Sequence, residues 1–247
     1  MPELLQSLGM PYLFEARTVT AVNGDTSFAL NMPAINFQVT QGRVSFSGLD
    51  VEGEFDLSAR AIESAGIIDF LRVDAGPEGT MEINGITLES DIAPLNSGLW
   101  LGDIDLEVST IKVEGAEAGV PFNVALTRTG AEFDSEVDNS GELVTMTGAY
   151  YLDSLTSDGL ADVDSQLALA DARFNASVTN YSIEALKAYY EYSQLVAANP
   201  RSAPPLIPGI QDMLYLTLST SPHIEIGPLE FVWNDEPFVA TTTIDMD

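Results

Sequence analysis

The chain has 247 residues, 45% of them hydrophobic, and carries 38 acidic against 9 basic side chains, for a formal net charge of −29. That length and apolar content suit a folded domain with a real core and exclude a disordered chain. The charge repels phosphate backbones, which excludes nucleic acid as a partner, and it opposes electrostatic docking on anionic lipid headgroups.

The acidic surface reads as a solubility device, suited to a salty medium where self-repulsion is screened. There is no cysteine, so disulfides, thiol catalysis, zinc–thiolate sites and iron–sulfur clusters are all excluded. No apolar run approaches the ~20 residues of a membrane-spanning helix. The first residues, Met1 to Gly9, have neither a basic region nor an apolar stretch of the kind a signal peptide needs. A targeting segment or membrane anchor is therefore expected only outside this chain.

From Tyr12 to Asp138 short segments alternate apolar and polar residues between turn signals, as half-buried antiparallel strands do. Thr18–Val22 runs into Asn23-Gly24, the strongest short hairpin signal, and a strand is predicted at Thr26–Asn31. Pro33 delays the next strand, in which Ile35, Phe37 and Val39 alternate with polar neighbours. Val44, Phe46 and Gly48 continue the pattern, then Phe55, Leu57 and Ala59 after Gly53. Ile67–Val73 is predicted as a strand ended by the turn cluster Ala75–Gly79.

Met81, Ile83, Ile86 and Leu88 flank Asn84-Gly85, which marks a turn or bulge within a strand, and Asp91–Ser97 reads as a polar loop. Ile104, Leu106 and Val108 alternate with Asp103, Asp105 and Glu107, a strand with its carboxylates on the wet face. Ile111–Val113, Phe122–Leu126, Glu132–Val137 and Leu143–Tyr151 are predicted as further short strands, and Leu167, Leu169, Phe174, Ala176 and Val178 as the last before the pattern changes. No helical crossover interrupts the series, so a parallel α/β fold is excluded.

The change comes at Asn180. On a helical wheel, Ile183, Ala185, Leu186, Tyr189, Tyr190, Ser193, Val196 and Ala197 share one half, while Glu184, Lys187, Glu191 and Gln194 fall on a narrow opposite arc. An amphipathic helix is predicted over about 182–198, with Ser182 as its N-cap, Tyr181 and Leu186 as a hydrophobic staple, and Asn199-Pro200 as its stop. A Pro-rich linker follows, then a short helix at about 208–219 from the spacing of Ile210, Met213, Leu214 and Leu218. The tail returns to strands at Ile224 and Ile226, at Phe231 and Trp233, and at Ala240–Ile244.

Chemistry is sparse. The one histidine, His223, sits at the start of a strand and reads as a structural residue rather than a catalytic base. Ser47-Gly48 and Ser140-Gly141 are turn serines without the Gly-x-Ser-x-Gly elbow, and no glycine-rich phosphate loop is present. Asp158-Gly159 with Asp162 and Asp164 lacks the spacing and terminal Glu of a calcium loop and reads as a solvated acidic turn. Tyr189, Tyr190, Tyr192, Trp100 and Trp233 read as core or rim packing. No catalytic, metal or cofactor-binding residue is singled out, and no cofactor is expected.

Asn180-Tyr-Ser-Ile-Glu-Ala-Leu186 resembles the helix-start signature of the YdgA-like family of bacterial envelope proteins of unknown function. Tyr151–Leu155, Gly98–Gly102, Pro33-Ala34 and Ser221–Leu229 are similar to other recurrent pieces of that family, in the same order along the chain. The resemblance implies the carboxy-terminal portion of a longer protein, facing the periplasm of a Gram-negative bacterium, and no catalytic residues. More distantly, the β-rich make-up resembles the AsmA-like proteins associated with lipid traffic and outer-membrane assembly.

The expectation is a single, mainly β domain over 1–247: a large, mostly antiparallel curved sheet or open barrel-like roll with a helical insertion at 180–220. The expected function is a non-enzymatic binding or scaffold module for lipid or another apolar ligand, with an envelope protein as a further candidate partner. A carboxylate-dependent glycan hydrolase, or a structural segment that associates through strand edges, is the alternative.

Overall fold

The computed structural model describes residues 12–39, 42–57, 60–95, 98–117, 120–158, 167–198 and 215–245. Strands β1 (Glu15–Thr20), β2 (Thr26–Met32), β3 (Ile35–Val39), β4 (Gly42–Phe46), β5 (Leu49–Asp56) and β6 (Ala61–Asp74) come first. They are followed by β7 (Gly79–Pro94), β8 (Trp100–Glu117), β9 (Val120–Val137), β10 (Leu143–Asp158) and β11 (Leu167–Ser182). Helix α1 (Ile183–Ala198) intervenes before β12 (His223–Trp233) and β13 (Glu236–Asp245).

All thirteen strands form one open, curved sheet and every pairing is antiparallel. Its main path runs β1-β2-β5-β6 and then through consecutive neighbours to β13, with the β3–β4 hairpin joined to the second half of β6. The sheet is not a closed barrel. The predicted hairpin at Asn23-Gly24 is present, with Gly24 at φ +97°.

The strands are longer than the sequence pattern suggested. β8 and β9 each run 18 residues, and β7, β10 and β11 each run 16. Ile104–Val108 and Ile111–Val113, expected as two strands, are one; the strand expected to carry a turn or bulge at Asn84-Gly85 is β7, irregular at Gly85, and the supposed loop from Asp91 is strand as far as Pro94. The reason is a seam that crosses six strands. From β6 to β11 the ladders are interrupted in line at Asp69, Gly85, Ser109, Arg128, Asp153 and Asp171, one residue on each strand. On alternate strands the seam residue has positive φ: Gly85 at 61°, Arg128 at 43° and Asp171 at 50°. At the same residues the alternation slips by one, as between Val108 and Ile111 on β8 or Leu126 and Ala131 on β9. A backbone irregularity resets which side the next residue faces, so the slip marks a crease in one strand rather than a break between two.

Among the described residues, buried hydrophobic side chains gather in a small cluster where α1 meets the sheet. Leu99, Val144 and Ile183 form it, with Leu95, Val137, Met146, Tyr181 and Leu186 packed around. The Ser182 hydroxyl accepts the Ala185 N–H at 3.2 Å, which is the predicted N-cap, and Ala185 is wholly buried. Beyond this first turn the helix is less covered than its wheel suggested: Tyr189 and Tyr190 are 57% and 46% exposed. Of the second predicted helix, residues 215–218 are helical and the earlier part lies outside the described residues, as does the Pro-rich linker.

Candidate functional site: the uncovered apolar face of the sheet

Because neighbouring strands pair in register, single rows of side chains run across the whole sheet. One row crosses all eleven strands of the main path: Ala16, Leu30, Val51, Gly66, Leu88, Leu106, Ala131, Tyr150, Phe174, Leu229 and Ala240. Every member but Tyr150 is apolar or glycine, and Tyr150 adds a single phenolic hydroxyl to its ring. At ~4.8 Å per strand it is about 48 Å long. The parallel row two residues along includes Phe28, Ile104, Phe133, Ala176 and Ile226.

This face is open. Leu88, Ile104, Leu106, Phe133 and Tyr150 are each 40–46% exposed. The rings of Phe133 and Tyr150 meet edge to face at 5.6 Å, and Tyr150 leans on Phe174 at 6.1 Å, so three strands present a joined aromatic patch. Helix α1 covers only the end near Val144 and Met146.

The opposite face carries the charge. Glu52, Glu54, Glu63, Glu89, Asp91, Asp103 and Asp105 line a groove of about 840 Å³, and Asp103 and Asp105 continue into a second groove with Glu132, Asp134 and Glu225. Arg128 answers part of this charge. Its Nε donates to Glu107 at 3.0 Å while its guanidinium lies 5.3 Å from the Tyr151 ring centre. The Arg128 and Tyr151 hydrogen bonds hold the Glu107 carboxyl below its usual range. Asp134 moves the other way: partial burial, then the neighbouring Asp103 and Glu136 carboxylates, raise it.

The model of a family of bacterial proteins of unknown function, DUF945, matches residues 3–235. The chain belongs to the DUF945 family. No curated protein and no solved structure matches it.

In this DUF945 protein the residues weighed for chemistry fall apart in space. Strand β12 opens on His223 itself, half-buried opposite Thr179 and Asp245. The Ser47 hydroxyl accepts the Phe70 N–H, and the Ser140 hydroxyl donates to Asp138 in the β9–β10 turn. Asp158 ends β10, while the rest of the acidic turn lies outside the described residues. Among the described residues no group of three or more His, Cys, Asp or Glu side chains is placed to hold a metal. Trp100 and Trp233 are 46% and 44% exposed at strand ends rather than packed in a core. Within single strands the alternation of Ile104, Leu106 and Val108 with carboxylates already signalled two faces. What it lacked was the register that joins those strands into one row.

Proposed function

We propose that this chain is a non-enzymatic binding module of the bacterial envelope, on the periplasmic side, that holds lipid acyl chains along the apolar face of its sheet. One observation carries the reading: the row from Ala16 to Ala240 has a single polar side-chain atom, the Tyr150 hydroxyl, and Leu88, Leu106, Tyr150 and Leu229 on it stay exposed. A contiguous apolar surface of this extent marks an interaction site on a soluble protein. With the Tyr150 hydroxyl as the one hydrogen-bonding side-chain group along that row, recognition rests on contact with a long, flexible apolar chain. The carboxylates on the other face keep that side in water, so only one face is available to such a ligand. The envelope placement rests on the resemblance to YdgA-like proteins, of which this chain would be the carboxy-terminal portion, and the more distant AsmA-like resemblance is consistent with a lipid cargo.

The test is organic-solvent extraction of natively purified protein followed by mass spectrometry, with uptake of a fluorescent fatty acid by the delipidated protein. Co-purifying acyl lipid and saturable uptake are expected. Protein that carries no lipid and takes up none would overturn the proposal, and so would sedimentation showing the face closed by a second copy.

A further inference from the structure

Among the described residues the main path of the sheet ends at β1 and β13, and the two ends differ. Strand β1 is short at 6 residues and carries Glu15 and Arg17, charges of the kind that discourage strand addition. Strand β13 is 10 residues long, has no Lys or Arg, and is β-branched at Val239, Thr241, Thr242, Thr243 and Ile244. Its Pro237 stands beside the turn, where it leaves most of the edge free to bond. Among the described residues β13 pairs only with β12, along its whole length from Glu236 to Asp245. Phe238 and Val239 on it are 46% and 66% exposed.

Half of the β13 backbone N–H and C=O groups therefore point away from the sheet, and only another strand offers matching groups along such a line. Self-pairing is disfavoured. Antiparallel pairing of β13 about its own centre sets Glu236 of one chain opposite Asp245 of the other, between molecules that each carry −29. The surroundings specify a partner of the opposite charge: Glu225 and Glu230 on β12 and Glu236 on β13 give the edge an acidic border.

We propose that β13 is a docking edge for an extended strand of another protein, β-branched in its centre and basic at its ends. Such a strand extends the sheet, continuing the apolar face from Ala240, Thr242 and Ile244 and setting its cations against the acidic border. The site is separate from the acyl-chain face and does not depend on it.

The experiment uses the whole chain and a probe peptide of alternating valine and threonine with paired lysines at each end. Hydrogen exchange read residue by residue is expected to slow at alternate amides of β13 when the probe is added. A probe with glutamates in place of the lysines is expected to have no effect. The variant Glu225→Lys/Glu230→Lys/Glu236→Lys is expected to weaken the lysine probe about tenfold, an effect that high salt reproduces in the wild type. Exchange on β13 that the lysine probe leaves unchanged overturns the proposal, as does equal protection on β1. Protection of β13 in the protein alone, with a dimer in sedimentation, would assign the edge to a second copy instead.

Discussion

Tyr151 on β10 donates its hydroxyl hydrogen to Glu107 on β8 at 3.0 Å, reaching over the full width of β9. The residue beneath is Gly130, the register partner of both. A Cβ at Gly130 would stand 2.5 Å from the Tyr151 ring and 2.5 Å from the Leu106 carbonyl oxygen. The bridge thus requires glycine at this point for space. Gly130→Ala is expected to destabilise the protein by about 2–3 kcal/mol, the range for overpacking. Urea denaturation checks it, and adding Tyr151→Ala should recover only part, because the Leu106 oxygen stays.

The same bridge predicts an alkaline titration. Partial burial, and then the bond to Glu107, push the Tyr151 phenol up to about 12. A group whose folded pKa lies above its unfolded value of about 10 stabilises fully below that value. The contribution is lost as pH rises from there through about 12. In absorbance titration Tyr151 should ionise after the ordinary tyrosines, and Glu107→Gln should bring it earlier. An unchanged curve for that variant would assign the whole shift to burial.

How much of this was legible in the sequence differs from element to element. The cap at Ser182 was, because capping chemistry is local: one hydroxyl and an N–H three residues on. The hairpin at Asn23-Gly24 was, for the same reason. The lengths of β7 to β11 were not, because a slip in alternation looks the same at a crease as at a break between strands. Only the partner strand tells them apart, and Ser109 is interrupted together with Gly85 and Arg128, on strands far from it in sequence. The apolar face was half legible. Alternation along β8 separated Ile104 and Leu106 from their carboxylate neighbours, yet nothing local announced that Leu106 would join Tyr150 in a row left open. Tyr189 and Tyr190 were assigned to packing because a wheel gives direction and not cover.

Ser182 tests how firmly α1 is held. It is 6% exposed, and its hydroxyl satisfies the Ala185 N–H at the point where the helix enters the buried cluster. Ser182→Ala is expected to cost about 1 kcal/mol. Thermal unfolding reads the loss, and Ser182→Asp should retain most of the cap because its carboxylate accepts the same N–H. A Ser182→Ala protein as stable as the parent would mean that packing of Ile183 and Val144 alone sets the helix start.

Asp171 tests the seam. It holds φ +50° in the middle of β11, a conformation that disfavours most side chains by about 1–2 kcal/mol and costs glycine little. Asp171→Gly should therefore leave stability unchanged or raise it by up to about 1 kcal/mol, against the usual penalty for glycine in a strand. Asp171→Val, a better strand former elsewhere, should lower it by about 1–2 kcal/mol. The contrast is measured by denaturant midpoints. The opposite order would mean that β11 runs extended through this point.

Phe133 and Tyr150 separate stability from binding. Each is already 42–46% exposed, so replacing both with serine removes less burial than a core change would, with an expected cost of about 1–2 kcal/mol in total. The same double change takes the centre out of the aromatic patch and leaves short serine side chains along the proposed acyl-chain path. Fatty-acid affinity is expected to fall at least about tenfold, corresponding to ~1.4 kcal/mol or more of lost contact. Circular dichroism should stay that of the parent. Glu89→Gln, on the carboxylate face, serves as the control and should leave affinity as it was. If Phe133→Ser/Tyr150→Ser binds like the parent while remaining folded, acyl chains do not lie on this face.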